Sequence, residues 1–372
     1  MAHLHKMRTH VHMREHDLLN TETSDYPGTF AGIDDSWDLK KFERNFQIGI
    51  VSLDDMTMEF DMIGVNPAIA NAIRRILLAE VPTMAPDKVF MYNNTSIVQD
   101  EVLAHRIGLV PFNIDPRMFD YREKDSEGSP EDTVEFELKV KCTRNPQAPK
   151  DATTPDELYK DHVVYTRHLT WTPIGSQAEI FGNKPPKPVY DDIILAKLRP
   201  GQEIDLKFHC MKGTGQDHAK FSPVATASYR LLPEIVLLRE VRDEQAERLQ
   251  GCFAKGVIEL DETDDGHKVA RVANARADTC SRNVFQYDDL KDAVELTRVK
   301  DHFIFSVEST GAYPPDLLVT EAIKVLMAKC QAFLSDVGYV HCIRSCFLPQ
   351  LLRPPTRIAT SNSITPHSGF CA

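Results

Sequence analysis

Across residues 66–80 the chain reads NPAIANAIRRILLAE, and Ile69, Ile73, Ile76 and Leu77 recur at helical spacing. Asn66 is a good N-cap, and Pro67 at the first helical position forfeits only an N–H that has no intrahelical partner. Val81-Pro82 stops the helix, because the residue before a proline is pushed out of the α region. Arg74 and Arg75 interrupt the apolar stripe and must point elsewhere. Upstream, Phe46–Leu53 and Met58–Val65 read as strands around Asp54-Asp55-Met56-Thr57, and Met58, Phe60 and Met62 alternate with Glu59 and Asp61. Lys88–Tyr92 is a third strand, so the pattern predicts a β-β-α-β unit with one helix laid across a small sheet.

Val98, Val102 and Leu103 predict a further helix that stops near Gly108 and Pro111, with His105-Arg106 in its last turn. From about 112 to 224 the pattern becomes period two, clearest in Val134–Val140 and Ile204–Cys210, with further strands at His162–Trp171 and Ile193–Leu198. Mixed structure resumes after Tyr229. Val257–Leu260 and Lys268–Val272 flank an Asp264-Asp265-Gly266 turn, and Phe303, Phe305 and Val307 mark a strand ending at Gly311. Pro314-Pro315-Asp316 opens a long helix to about Val337. Its Val319, Ile323, Leu326, Cys330 and Phe333 are spaced 4-3-4-3, a seam that needs either a facing helix or this chain's own sheet. Residues 1–39, with five histidines before position 17, and the Pro-rich stretch 337–372 read as a disordered leader and tail.

Composition narrows the function. Hydrophobic content of 42% suits a globular chain, and no run approaches the roughly 18 apolar residues of a membrane span. Eight dispersed cysteines fit reduced thiols in the cytosol or nucleus. A net charge of −12 without a Lys/Arg cluster argues against autonomous nucleic-acid binding, which draws on phosphate neutralisation. Protein partners are the expectation.

Catalytic constellations are scarce. The pairs Asp54-Asp55, Asp191-Asp192, Asp264-Asp265 and Asp288-Asp289 read as solvated residues rather than a two-metal site, the first and third lying in hairpin turns. Lys212-Gly213-Thr214-Gly215 is a fragment of a phosphate loop without its spacing. His341, Cys342 and Cys346 lack the ligands that would complete a zinc site, and His3, His5, His10, His12 and His16 lack a supporting shell. No metal and no cofactor are expected. A hydrolase built on His105 or the aspartates and an acidic adaptor or chaperone outside transcription are the rival readings.

Several blocks are collectively familiar: NAIRRILLAEVPTMA at 71–85, YNNTSIVQDEVLAHRIGLVP at 92–111, DHAKFSPVATASYRLLP at 217–233, HFIFSVESTG at 302–311 and EAIKVLMAKC at 321–330. Over about residues 40–336 the chain resembles the alpha-like subunits shared by eukaryotic RNA polymerases I and III, relatives of the bacterial polymerase alpha subunit. The resemblance implies an α+β fold in which a dimerisation domain, 40–92 and 225–336, is split by an inserted mostly-β domain at 93–224. It implies a heterodimer with a smaller alpha-like subunit, through Ile69, Ile73, Ile76 and Leu77 on one helix and Val319, Ile323, Leu326, Cys330 and Phe333 on the other. That pair would be the platform for the two large catalytic subunits, facing them with Arg74, Arg75, His105, Arg106, His218, Lys220 and Phe221. The protein would itself be non-catalytic and would work in the nucleus and nucleolus, with assembly in the cytoplasm. The zinc-binding cysteine cluster of the polymerase II counterpart is not implied, since the inserted region carries only Cys142 and Cys210.

Overall fold

The computed structural model describes residues 2–22, 30, 32–34, 36–123, 126–149, 152–182 and 184–351. The chain opens with α1 (Ala2–Thr9), β1 (His10–Met13) and β2 (Leu18–Leu19), then α2 (Leu39–Asn45) and the hairpin β3 (Gln47–Leu53) and β4 (Thr57–Ile63). It continues through α3 (Pro67–Ala79), β5 (Thr83–Asn94) and α4 (Asp100–Gly108). The next long strands are β6 (Thr133–Lys141), β7 (Leu169–Thr172) and β8 (Glu203–Gly213), followed by β9 (Val224–Leu237). Helix α5 (Asp243–Cys252), the hairpin β10 (Ile258–Glu262) and β11 (Lys268–Val272), β12 (Val294–Ser309) and α6 (Pro315–Leu351) complete it. Two compact units result, residues 1–325 and 326–372.

In the first unit, two sheets carry the fold. One has the order β2-β1-β12-β4-β3, with β9 also paired to β12; the other has the order β7-β6-β8-β5. All strands of the second sheet fall between the two stretches that build the first. The central strand is β12. Its two ends, Val294–Arg298 and Phe303–Ser309, pair with β9 around a break in register, while its other side is shared by β4 along His302–Glu308 and β1 along Leu296–Val299. Alternation buries Phe60 and Phe305 on one face, where their rings stack at 5.0 Å. Across β9 and β12 lies α3, capped by the Asn66 side chain accepting from the Ala68 N–H. A separate core fills the second sheet, around the stacked rings of Phe136 and Phe208 with Phe112 against them.

Four sequence expectations need correction. Residues 83–94 extend β5 into the second sheet, pairing it with β8, so Lys88–Tyr92 does not join the hairpin in a β-β-α-β unit. The segment His162–Trp171 is two short strands separated by a turn of 3-10 helix, Thr166–His168, because its alternation breaks at Arg167-His168. The leader is not all irregular: β1 adds to β12 in the register His10–Val299 to Met13–Leu296, and Met13 is buried. Lys6 and His12 reach Glu295, His10 reaches Glu234, and Lys300 Nζ donates to the carbonyls of Met7 and Glu22. The open edge of β12 left where β4 ends explains this, since unpaired backbone groups recruit any extended segment within reach. Finally, α6 runs to Leu351 rather than stopping near Val337, as no proline interrupts it before Pro349 and one glycine, Gly338, costs only about 1 kcal/mol. The rest of the expected tail, 352–372, lies outside the described residues.

Deleting residues 1–22 should speed amide exchange across Leu296–Val299 by about tenfold or more while leaving Phe303–Glu308, held by β4, unchanged. Equal protection with and without the leader, measured by hydrogen–deuterium exchange, would show that β1 adds nothing to the sheet.

Candidate assembly surface

Burial divides the residues expected on the dimer face. Ile73, Ile76 and Leu77 are buried in this chain's own core, where they hold α3 on its sheet. Ile69, in the first turn of α3, is 38% exposed. On α6, Val319 and Ala322 are buried and Ile323 is half-buried. Beyond them Cys330 and Phe333 are exposed, Phe333 to 69%, and Leu326 is half-buried. Val337 continues the 4-3 spacing and is exposed, and Met327 and Leu334 widen the stripe. Met327 and Leu334 are missed by a strict seam count because they fall beside it, and Val337 because it stands at the expected helix end.

The arginines separate as well. The Nε and Nη2 groups of Arg74 both donate to Asn71 Oδ1, at 3.2 and 2.8 Å, which pins that guanidinium along the helix. Arg75 is exposed, with no hydrogen bond or ion pair among the described residues. Arg106 donates to the carbonyls of Leu195 (3.1 Å) and Ile194 (2.6 Å), fastening α4 to the neighbouring strand. Phe221 is a core residue and its carbonyl accepts from Thr83 Oγ1 at 2.7 Å. Within the chain Arg106 and Phe221 thus act as structural supports, Arg106 through its two carbonyl bonds and Phe221 through its buried ring.

The loop after β8 explains the Lys212–Gly215 motif. Gly213 lies flat against Phe221, where a Cβ would sit 2.7 Å from the ring. Gly215 lies against the end of α3, where a Cβ would sit 2.4 Å from the Leu78 carbonyl oxygen, and the next N–H, of Gln216, donates to Ala79 O at 3.0 Å. The glycines therefore serve close approach and C-terminal capping, and cradle no phosphate. The loop then turns at His218, whose Nδ1 accepts from the Lys220 N–H, and sets the His218 ring edge-on to His105 of α4 at 6.0 Å between centroids. Lys220 Nζ reaches back to Pro86 O and Asp87 Oδ1. Three segments remote in sequence thereby form one concave patch with Asp87, His105, His218, Lys220 and Leu109 on its rim. Asp87 and Leu109 carry no motif that sequence reasoning could have found.

No group of three or more His, Cys, Asp or Glu side chains is placed to hold a metal among the described residues. Burial pushes the Cys142 and Cys210 thiols up, Cys210 well above the ordinary thiol range, so both sit as protonated core residues. His341, Cys342 and Cys346 lie in the part of α6 whose side chains fall outside the described residues.

A family profile described as the RNA polymerase Rpb3/Rpb11 dimerisation domain matches residues 59–330, a span that takes in α3, the whole second sheet, most of β4 with β9 and β12 of the first, and the first turns of α6. The chain belongs to the Rpb3/Rpb11 dimerisation family. It is 60% identical over 337 residues to the mouse DNA-directed RNA polymerases I and III subunit RPAC1, covering 90% of this chain and 97% of the relative. The Saccharomyces cerevisiae subunit of the same name is 48% identical over 318 residues, covering 84% of this chain and 94% of the relative. A Dictyostelium discoideum polymerase II subunit, rpb3, is 32% identical over 300 residues, covering 78% and 94%. Within this family frame the split of α6 into a buried beginning and an exposed apolar continuation is the feature to explain.

Replacing Gly215 with Ala should lower stability by about 1–3 kcal/mol, because loop and helix must separate to admit the methyl group. Gly49→Ala, where nothing lies within 4 Å, should be neutral or mildly stabilising. Urea midpoints of the two variants check the contrast, and equal midpoints would contradict it.

Proposed function

We propose that this protein is a non-catalytic assembly subunit of DNA-dependent RNA polymerases I and III, which pairs with a smaller alpha-like subunit and presents the pair to the two large catalytic subunits. The observation that carries this reading is the dimerisation-family match over 59–330 together with the exposed apolar ridge on α6. Met327, Phe333, Leu334 and Val337 exposed on one helix form a contiguous apolar surface of the kind that marks a protein interface. At roughly 1.5–3 kcal/mol per large side chain buried, that ridge supplies the affinity, while the polar patch at His105 and His218 and the free guanidinium of Arg75 provide orientation toward the large subunits. Synthesis of ribosomal RNA precursors and small RNAs such as 5S rRNA and tRNA then belongs to the complex. The protein acts in the nucleus; a nucleolar pool and pairing in the cytoplasm before import are part of the same proposal. An acidic net charge of −12 fits a subunit that meets DNA only through its partners.

Affinity purification of the tagged chain followed by mass spectrometry should return the smaller alpha-like subunit and the large subunits of both polymerases; their absence would end this reading. The double change Phe333→Asp and Leu334→Asp should weaken pairing by about 100-fold or more, since each removed side chain is worth at least one decade, yet leave the melting temperature of the isolated chain unchanged. Unaltered affinity in a binding titration would place the interface elsewhere. Arg75→Glu should keep the heterodimer and lose large-subunit recovery on co-purification, and normal recovery would remove Arg75 from the large-subunit surface.

A further inference from the structure

The patch at the end of α4 encloses a cavity of about 270 Å³ whose rim is rich in N–H donors. Lys220 Nζ spends two of its three donors on Pro86 O (2.8 Å) and Asp87 Oδ1 (2.6 Å), leaving one. At 3.1 Å His218 Nδ1 accepts from the Lys220 backbone N–H, which fixes the neutral ring's proton on Nε2. That N–H has no partner among the described residues, and neither does the ring of His105, which touches only the ring of His218. Asp87, the one carboxylate on the rim, is already paired with Lys220. A group that complements such a rim brings acceptors and no hydrogens of its own. A carboxylate does this, and its hydrogen bonds to Lys220 and the imidazoles are of the strong, charge-assisted kind. A nucleic-acid phosphate suits the site less, because nucleic-acid binding draws on many phosphate contacts and the chain carries −12 overall without a Lys/Arg cluster around the pocket.

We infer that the Asp87–His105–His218–Lys220 pocket receives an acidic side chain of a large polymerase subunit, with the Nε2–H of His218 as its locked donor. This rests on the assembly reading above. The two carboxamides separate a contact role from a structural one. His218→Asn keeps an acceptor where Nδ1 stands, and with it the bond from the Lys220 N–H, but has nothing at Nε2. His218→Gln reproduces the distal N–H and gives up the local bond.

The tagged full chain is expressed in cells, and the ratio of large subunits to the smaller alpha-like subunit is measured after purification, with melting temperatures of the purified variants alongside. His218→Asn should melt like wild type and lose about fivefold or more of the large-subunit ratio, the effect of removing one hydrogen bond to a charged partner. His218→Gln should stay close to the wild-type ratio, and His105→Glu should lower it by repelling the incoming carboxylate. A normal ratio for His218→Asn, or a loss for His218→Gln without one for His218→Asn, would overturn the inference and leave the assembly reading standing. Failure of the wild-type chain itself to recover large subunits would overturn both. Loss of wild-type recovery after nuclease treatment would reassign the pocket to a phosphate and overturn the carboxylate.

Discussion

Strand β12 is the constraint on which the molecule depends. Sixteen residues, Val294–Ser309, offer backbone donors and acceptors on two sides, and segments from residues 10–13, 57–63 and 224–237 consume them. Each buried backbone group left unpaired would cost as much as a lost hydrogen bond, so the leader, the first hairpin and the strand after the second sheet are tied to one late element. Closing such long loops is entropically expensive in rate more than in stability, and the fold is accordingly one of non-local pairings. The apolar reward is concentrated where Phe60, Phe305 and Tyr229 meet on the sheet.

Covering one face of that sheet with α3, and burying the start of α6, sets how the apolar stripes are used within the chain. A stripe of period 3.5 to 3.6 can dock on a sheet in the same chain or on a helix in another, and the two uses have the same sequence signature. Here the stripe on α6 changes burial along its length. Val319 and Ala322 sink into the core, and from Met327 onward the same helix presents Phe333, Leu334 and Val337 to solvent. The two arginines of α3 divide in a parallel way, one held by Asn71 and one left to solvent. On the proposed function, internal stability and partner affinity would be drawn from neighbouring residues of one helix.

The polar surface has a comparable logic. Gly213 and Gly215 let the loop after β8 lie against Phe221 and the end of α3, and that close approach is what carries His218 to His105. A loop glycine far from any ligand thus positions the imidazole pair. The phosphate-loop reading of the motif fails on the same observation, since the Gln216 N–H that an anion would need is spent on the Ala79 carbonyl.

Much of this was legible in the residues themselves. Asn66 and Pro67 opened α3 and Val81-Pro82 closed it; Met58, Phe60 and Met62 announced their strand; the Asp264-Asp265-Gly266 turn joined β10 to β11. The blocks from NAIRRILLAE to EAIKVLMAKC carried the family, and that resemblance supplied the partner class. These are local signals, set by capping, alternation and turn chemistry within a few residues. What tertiary structure alone decided was which groups were already satisfied. It buried Ile73, Ile76 and Leu77, spent Arg106 on two carbonyls, laid β1 of the leader along β12, moved β5 to the second sheet and joined His105 to His218. The physical reason is that a side chain's pattern fixes its face, whereas exposure depends on hydrogen-bond and packing partners a hundred or more residues away.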